Sequence, residues 1–312
     1  MTSRSVVFAE PVRTAIGTFG GTLKDIPAPN LGATAIDAAV ARGSIRPDEV
    51  ETVVMGNVVQ AGTKMNPARQ AAVHAGLPVT TPALTVNRVC GSGAQAIVSA
   101  AQEIALGNID VAVAGGMENM DLAPYLVSRA RWGYRMGDGQ LYDSALRDGL
   151  NDAFSDAHSG WHTEDLVEKY QVTRDAQDRW ALRSQQRFAS AQAAGHFKAQ
   201  IVPVEVPGKK GPVQFDKDEH NRPRYDARHA GAPQAGIPAK WHDHCGQCPG
   251  IERRRRGDGS DRSKLGREAR AFTNGPSRRL WHRRGRARHV RARAGSGGQT
   301  GAPARRLGYS LG

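Results

Sequence analysis

Between residues 50 and 118 short apolar runs alternate with Ala-rich segments of helical spacing, and this alternation limits the chain to few folds. VETVVMGNVVQAG reads as a strand and a glycine turn. NPARQAAVHAGL reads as a helix with Pro67 in its first turn and Gly76 near its end. ALTVNRVC is a strand leading into GSGAQAIVSAAQEIALGN, a small-residue helix ending near Gly107, and DVAVAGGMENM is a further buried strand. Upstream, SVVFAEP reads as a short buried strand, and LGATAIDAAVARGSI as a helix with a cap at Asn30. Strands and helices in strict succession with short connections predict an α/β layered fold around a largely parallel sheet. From Asp121 the pattern loosens into a polar, turn-rich excursion. Two helices follow over TEDLVEKY and TRDAQDRWALRSQQRFASAQAAGHF, the second with a capping signal at Thr173 and Gln177, and then a strand over IVPVEVP. This stretch is expected to form a subdomain lying over the α/β core.

Composition matters at one place, near residue 223. Residues 224–312 hold 21 Lys+Arg against 6 Asp+Glu, whereas residues 1–223 hold 22 against 24, so the tail carries the whole of the net charge of +13. The tail has eight residues from Ile, Val, Leu, Phe and Met. So few large apolar side chains do not offset the entropy of ordering the backbone, and disorder is the expectation. No apolar run reaches membrane-spanning length, MTSRSVVFAEPVRT lacks a signal-peptide core, and three cysteines make no disulfide framework. A cytoplasmic protein is expected.

Two cysteine settings carry candidate chemistry. In the tail, HDHCGQCP places His242, Asp243, His244, Cys245 and Cys248 at ligand spacing, on its face a compact zinc or redox cluster. In TVNRVCGSGAQA, Cys90 stands where a strand hands over to a helix. A thiol there meets the positive end of the helix dipole, which favours the thiolate, and Gly91 and Gly93 allow another backbone or a thioester to approach. Taken alone, Cys90 also fits a buried structural thiol. The CGSG turn is a poor substitute for a dinucleotide-binding GxGxxG.

The wider context decides between them. VRTAIGTFGG, NPARQAA, NRVCGSGAQA, VAVAGGMENM, ARWGYRMGDG, DGLNDAF, ALRSQQR and FDKDEH occur in this order across residues 12–220. Together they closely resemble the thiolase family, in particular bacterial biosynthetic thiolases and broad-specificity β-ketothiolases. The motifs favour it over the ketoacyl synthases, which share fold and nucleophile. The resemblance implies the N-terminal half of a layered αβαβα core over residues 1–118, and a loop subdomain that binds coenzyme A over residues 119–223. It implies an acyl-CoA C-acetyltransferase that condenses two acetyl-CoA into acetoacetyl-CoA or runs the reverse thiolysis. Cys90 would be the nucleophile that becomes acylated, with coenzyme A thioesters as substrates and no cofactor or metal. His158 in AHSG would line the pantetheine path, although a plain surface histidine fits the same position. Ser159 stands where the family often has Met, which bears on acyl-chain preference. ARWGYRMGDG resembles the loop through which thiolase dimers pair into homotetramers.

After FDKDEHNRP the family pattern stops, and codon arithmetic accounts for it. HDHCGQCP can be encoded so that a shift of one base reads TITAGNAP. The same shift turns YDARHAGAPQAGIPAKW into TTLDTLARLKPAFRQNG and IERRRRGDGS into LNDGAAAMV. These are what the family has in those places. The tail is therefore expected to be out of frame after about Pro223, and its histidines and cysteines to be no metal site. The family's GHPxG and CxGGG segments, which supply its general base and second acid/base, do not occur in residues 224–312. Negligible turnover is expected of this chain. A noncatalytic basic protein whose tail binds nucleic acid nonspecifically, in a salt-dependent manner, is the competing class.

Overall fold

A computed structural model describes residues 4–208 and 210–221. The expectations for the tail, including HDHCGQCP, lie outside the described residues. The elements are β1 (Arg13–Thr14), α1 (Ala28–Arg42), β2 (Thr52–Gly56), α2 (Pro67–His74), β3 (Ala83–Val86), α3 (Ser92–Leu106), β4 (Ala112–Gly116), β5 (Tyr125–Val127), β6 (Leu141–Asp143), α4 (Ser159–Lys169), α5 (Arg174–Ala193), β7 (Ile201–Val202), β8 (Val204–Val206) and β9 (Val213–Phe215). The α/β reading holds. β3, β2 and β4 form a parallel sheet in that order, with Val54 opposite Leu84 on one side and Ala114 on the other.

The central strand β2 is buried on both faces. Val53 and Met55 pack with Ile36 and Val40 of α1, with Ala68, Ala71 and Ala72 of α2, and with Met117. Val54, one residue out of phase, packs on the opposite face with Ala96 and Ala100 of α3. A strand covered on both sides needs a continuous apolar run, which is why TVVMG lacks polar alternation. Burying each valine contributes roughly 1.5–3 kcal/mol relative to leaving it exposed. α1 and α2 meet at Gly32, where a Cβ would come within 2.6 Å of Met117 Sδ and 3.2 Å of Ala71 Cβ.

Two local expectations fail. SVVFAEP forms no strand, and Val7 and Phe8 are 79% and 74% exposed. An apolar run becomes a strand only where a neighbour pairs its backbone, and residues 5–11 have no such ladder among the described residues. The cap of α1 is Pro27 rather than Asn30. Prolines 27 and 29 preset the backbone for the helix start, and Asn30, already inside the first turn, bonds His74 Nδ1 through Oδ1 (3.1 Å). Other signals hold as read. Pro67 opens α2, Thr173 accepts the Ala176 N–H before α5, and Gly107 ends α3 in the left-handed conformation; Asn66, which the sequence reading did not name, caps α2 by accepting the Arg69 N–H. α4 and α5 bury no residue fully. Among the described residues no helix is long and apolar enough to cross a membrane.

A second apolar cluster joins Ala15, Leu23 and Leu31 to Val204, Val206 and Phe215. Here β1 pairs with β7 in parallel and β8 with β9 antiparallel. A polar clasp closes it. Arg13 grips Asp218 with two nitrogens (2.7 and 2.9 Å), and the Ile16 N–H donates to the same carboxylate (2.8 Å). Glu219 accepts from the Thr18 N–H (2.8 Å) and from the Thr22 hydroxyl. The sequence motifs VRTAIGTFGGT and FDKDEH are thus two halves of one contact, with bidentate geometry that is among the stronger forms of ion pairing.

Burial pushes Asp218 up, but the Arg13 guanidinium and the Ile16 N–H outweigh it and hold the carboxyl below its ordinary value. Glu219 is likewise raised by burial and lowered further by the Thr22 and Thr18 donors, with a net depression. A depressed folded-state pKa stabilises the fold fully above the ordinary carboxylate range, and that contribution is lost as pH falls through the depressed values. Thermal midpoints measured from pH 7 downward should therefore decline in acid. Asp218→Asn should lower the midpoint at pH 7 and flatten its acid limb; an acid limb as steep as that of the unaltered protein would show that other carboxylates set it.

Candidate active site

The carboxyl ends of β2, β3 and β4 meet at one edge of the sheet, the edge where parallel α/β sheets commonly place their ligands. Two glycines allow it. A Cβ on Gly56, the last residue of β2, would lie 2.5 Å from Ser92 C and 2.6 Å from Gly93 N; one on Gly116, the last of β4, would lie 3.2 Å from Gly93 Cα. The start of α3 therefore rests directly on the ends of two strands.

The loops beyond the strands are cross-tied. Glu118 accepts from the Val58 N–H (2.8 Å), the Val59 N–H (3.2 Å) and Asn57 Nδ2 (2.8 Å), while Asn57 Nδ2 also donates to Met117 O (3.2 Å). Asn87 Nδ2 donates to Val58 O (3.3 Å), tying in the end of β3. Asn119 Nδ2 donates to Leu23 O and Ile26 O, anchoring the turn before α1. Burial raises the Glu118 carboxyl above its ordinary value, against the lowering effect of the Val58, Val59 and Asn57 donors. Sequence reading passed over Glu118 and Asn57. A carboxylate and an amide bordering glycine-rich apolar runs were the available signal.

Cys90 lies between β3 and α3, and it is exposed, which excludes the buried structural thiol. The strand does not run straight into the helix, as expected, but turns sharply over Asn87–Gly91. Val89 adopts a left-handed backbone with φ +50°. For a β-branched residue this conformation costs of order 1–3 kcal/mol and persists only where neighbours impose it. The neighbours are identifiable. Asn87 Oδ1 accepts the Val89 N–H (2.9 Å), the Arg88 N–H donates to Ser92 Oγ (2.8 Å), and that hydroxyl donates to Val89 O (2.6 Å). The Gly91 and Ser92 N–H groups close the turn onto Arg88 O and Val89 O. Cys90 immediately precedes Gly91, the cap of a fifteen-residue helix whose dipole favours negative charge at this end.

His158 stands elsewhere in the fold, as the cap of α4. Its Nδ1 accepts the Gly160 N–H (3.0 Å), which assigns the proton to Nε2. Asn151 bridges to His158, and the intervening loop is held by Asp152, which accepts from the Phe154 and Ser155 N–H groups. Cys90 and His158 thus belong to different elements. Two open surface depressions, one along Val127–Trp132 and one between Asn30, Asp37 and His74, include neither of them. Among the described residues no group of three or more His, Cys, Asp or Glu side chains is placed to hold a metal ion.

Comparison with known proteins assigns the family. The family described as thiolase, N-terminal domain, matches residues 6–230. The chain belongs to the thiolase family. It is 50% identical over 220 residues to a probable acetyl-CoA acyltransferase of Staphylococcus epidermidis, covering 70% of this chain and 56% of that protein. It is 51% identical over 208 residues to an acetyl-CoA acetyltransferase of Chromobacterium violaceum, covering 66% and 53%. The crystal structure of the Bacillus anthracis acetyl-CoA acetyltransferase superposes with a TM-score of 0.68 at 41% identity, over 70% of this chain and 56% of that one. The chain therefore spans just over half the length of the relatives it matches. The thiolase fold accounts for the parallel sheet and for the helix following the Cys90 turn.

The glycine contact yields a direct test. Gly56→Ala should lower stability in urea denaturation by about 1–3 kcal/mol, because the new methyl meets backbone rather than a side chain that can turn away. An unchanged midpoint would mean that α3 retreats freely from the strand end.

Proposed function

We propose that this chain derives from a thiolase that transfers acyl groups between coenzyme A thioesters, with Cys90 as the acylated nucleophile. The observation that carries this reading is the exposed Cys90 on a strained turn at the start of α3, where the strand ends converge. In the proposed first half-reaction Sγ attacks the thioester carbonyl carbon. The carbon–sulfur bond to coenzyme A breaks, the acyl group passes to Cys90, and coenzyme A leaves with the proton. A second acyl-CoA then supplies the carbon nucleophile for condensation, or coenzyme A returns for thiolysis. His158, fixed as a cap with its proton on Nε2, is proposed to line the pantetheine path, and Ser159 beside it to influence acyl-chain preference. Loop residues 130–139, where Trp132 and Met136 are 85% and 96% exposed, suit the pairing of dimers into a tetramer.

The same reading holds that residues after about 223 are out of frame. The GHPxG and CxGGG segments do not occur in residues 224–312, and codons permitted for the tail give family-like sequence when shifted by one base. Residues 1–312 by themselves would then offer Cys90 to an acyl group without the acid/base groups that complete the cycle, and turnover by these residues alone would be negligible.

Two proteins test this together: the chain as it stands, and one whose gene carries a one-base deletion within codons 222–226 and is read in that frame through the genomic codons beyond 312 to the first stop. Incubated with acetyl-CoA, both should carry acetyl on Cys90 by peptide mass spectrometry, and Cys90→Ala should carry none. Thiolysis of acetoacetyl-CoA should be negligible in the first and reach about 1–1000 per second in the second. Acetyl absent from Cys90 in both proteins would sink the nucleophile; an inactive restored protein would sink the frame reading.

A further inference from the structure

The turn that presents Cys90 depends on a side chain with no part in bond making. Val89 is held at φ +50°, where a β-branched residue does not rest unaided. Ser92 is 4% exposed and is wedged against Gly56. Its hydroxyl takes the Arg88 N–H at 2.8 Å and donates to Val89 O at 2.6 Å. It therefore bonds both peptide units that flank the Arg88–Val89 pair. The Ser92 N–H closes on the same Val89 O at 3.0 Å, and Asn87 Oδ1 holds the Val89 N–H at 2.9 Å. Every polar group of Val89 is thus gripped from within five residues, while its own side chain is exposed.

From this geometry we infer that Ser92 is a positioning residue: its hydroxyl clamps Val89 in the left-handed conformation, and so holds the Cys90 thiol outside the sheet edge at the start of α3. Without the hydroxyl, Val89 relaxes toward the extended region its side chain prefers, and the Cys90 backbone swings away from the helix end. Asn87 is the lesser half of the same clamp. The inference rests on Cys90 being the reactive group of the proposed function, but the clamp acts on any electrophile that reaches the thiol.

The test exploits the one residue type that takes φ +50° without strain. In the full chain, Cys90 alkylation by iodoacetamide is timed by peptide mass spectrometry, which separates Cys90 from Cys245 and Cys248. Ser92→Ala should slow Cys90 alkylation about tenfold, and the double variant Ser92→Ala/Val89→Gly should return to within about twofold of the unaltered protein. A purely structural serine would show no such rescue, since the added glycine loosens the chain further. If Ser92→Ala does not accumulate as folded protein, Asn87→Ala is read the same way, with a smaller loss and the same rescue by Val89→Gly. Alkylation at the unaltered rate in the single variants, or a double variant no faster than the single, would overturn the clamp. Acetyl-CoA as the reagent separates this from the functional reading. Clamp-dependent alkylation with no transfer of acetyl to Cys90 leaves the role of Ser92 standing and removes the acyltransferase.

Discussion

The backbone of α3 lies against the backbones of β2 and β4 with no side chain between them, and most of the described structure around the sheet edge follows from that contact. Gly56 and Gly116 are the two places where a methyl group would intrude on the start of α3. Their absence brings the start of a long helix onto the strand ends, and the chain leaving β3 must then double back within Asn87–Gly91 to enter the helix. That short return forces Val89 into a conformation its side chain disfavours, and the hydroxyl of Ser92 and the amide of Asn87 hold it there. A permissive feature at two positions thereby becomes a strained feature at a third. Such strain is commonly found where a reactive group is held ready.

The polar ties around this edge differ in kind from the apolar core beneath it. Val53, Val54 and Met55 are buried by area alone, and similar side chains would serve. Glu118 and Asn57 sit at the boundary with several donors converging on one carboxylate, so loss of a single partner leaves a buried polar group exposed to the full cost of its desolvation. The loops after three parallel strands are thereby fixed relative to one another, while α4 and α5, which bury no residue fully, are held by more local means.

Much of this was legible in the sequence where the signal was local. Pro67 at the start of one helix, Thr173 before a long one and Gly107 after another all act within a single turn, and all three bound their helices as read. Failures arose where the outcome depended on something distant. SVVFAEP has a strand's composition, but a strand is a relation between two segments. Asn30 is a good capping residue placed behind two prolines that had already begun the helix. Val89 is the type least expected at positive φ, so only its clamps reveal its conformation. Cys90 was singled out through the order of motifs, and its exposure distinguishes it from a packed thiol.

The Arg13–Asp218 clasp has a consequence for the order of events during synthesis. Its halves lie 205 positions apart, and Glu219 closes on Thr18 and Thr22 over a similar span. The turn around residues 16–22 is among the first segments made, yet its carboxylate partners are almost the last of the described residues to appear. Until they do, Ile16 and Thr18 have backbone donors that only water can satisfy. A segment made some two hundred positions before its partners is thus among the last to be locked, and any fault in translation ahead of residue 218 leaves it open.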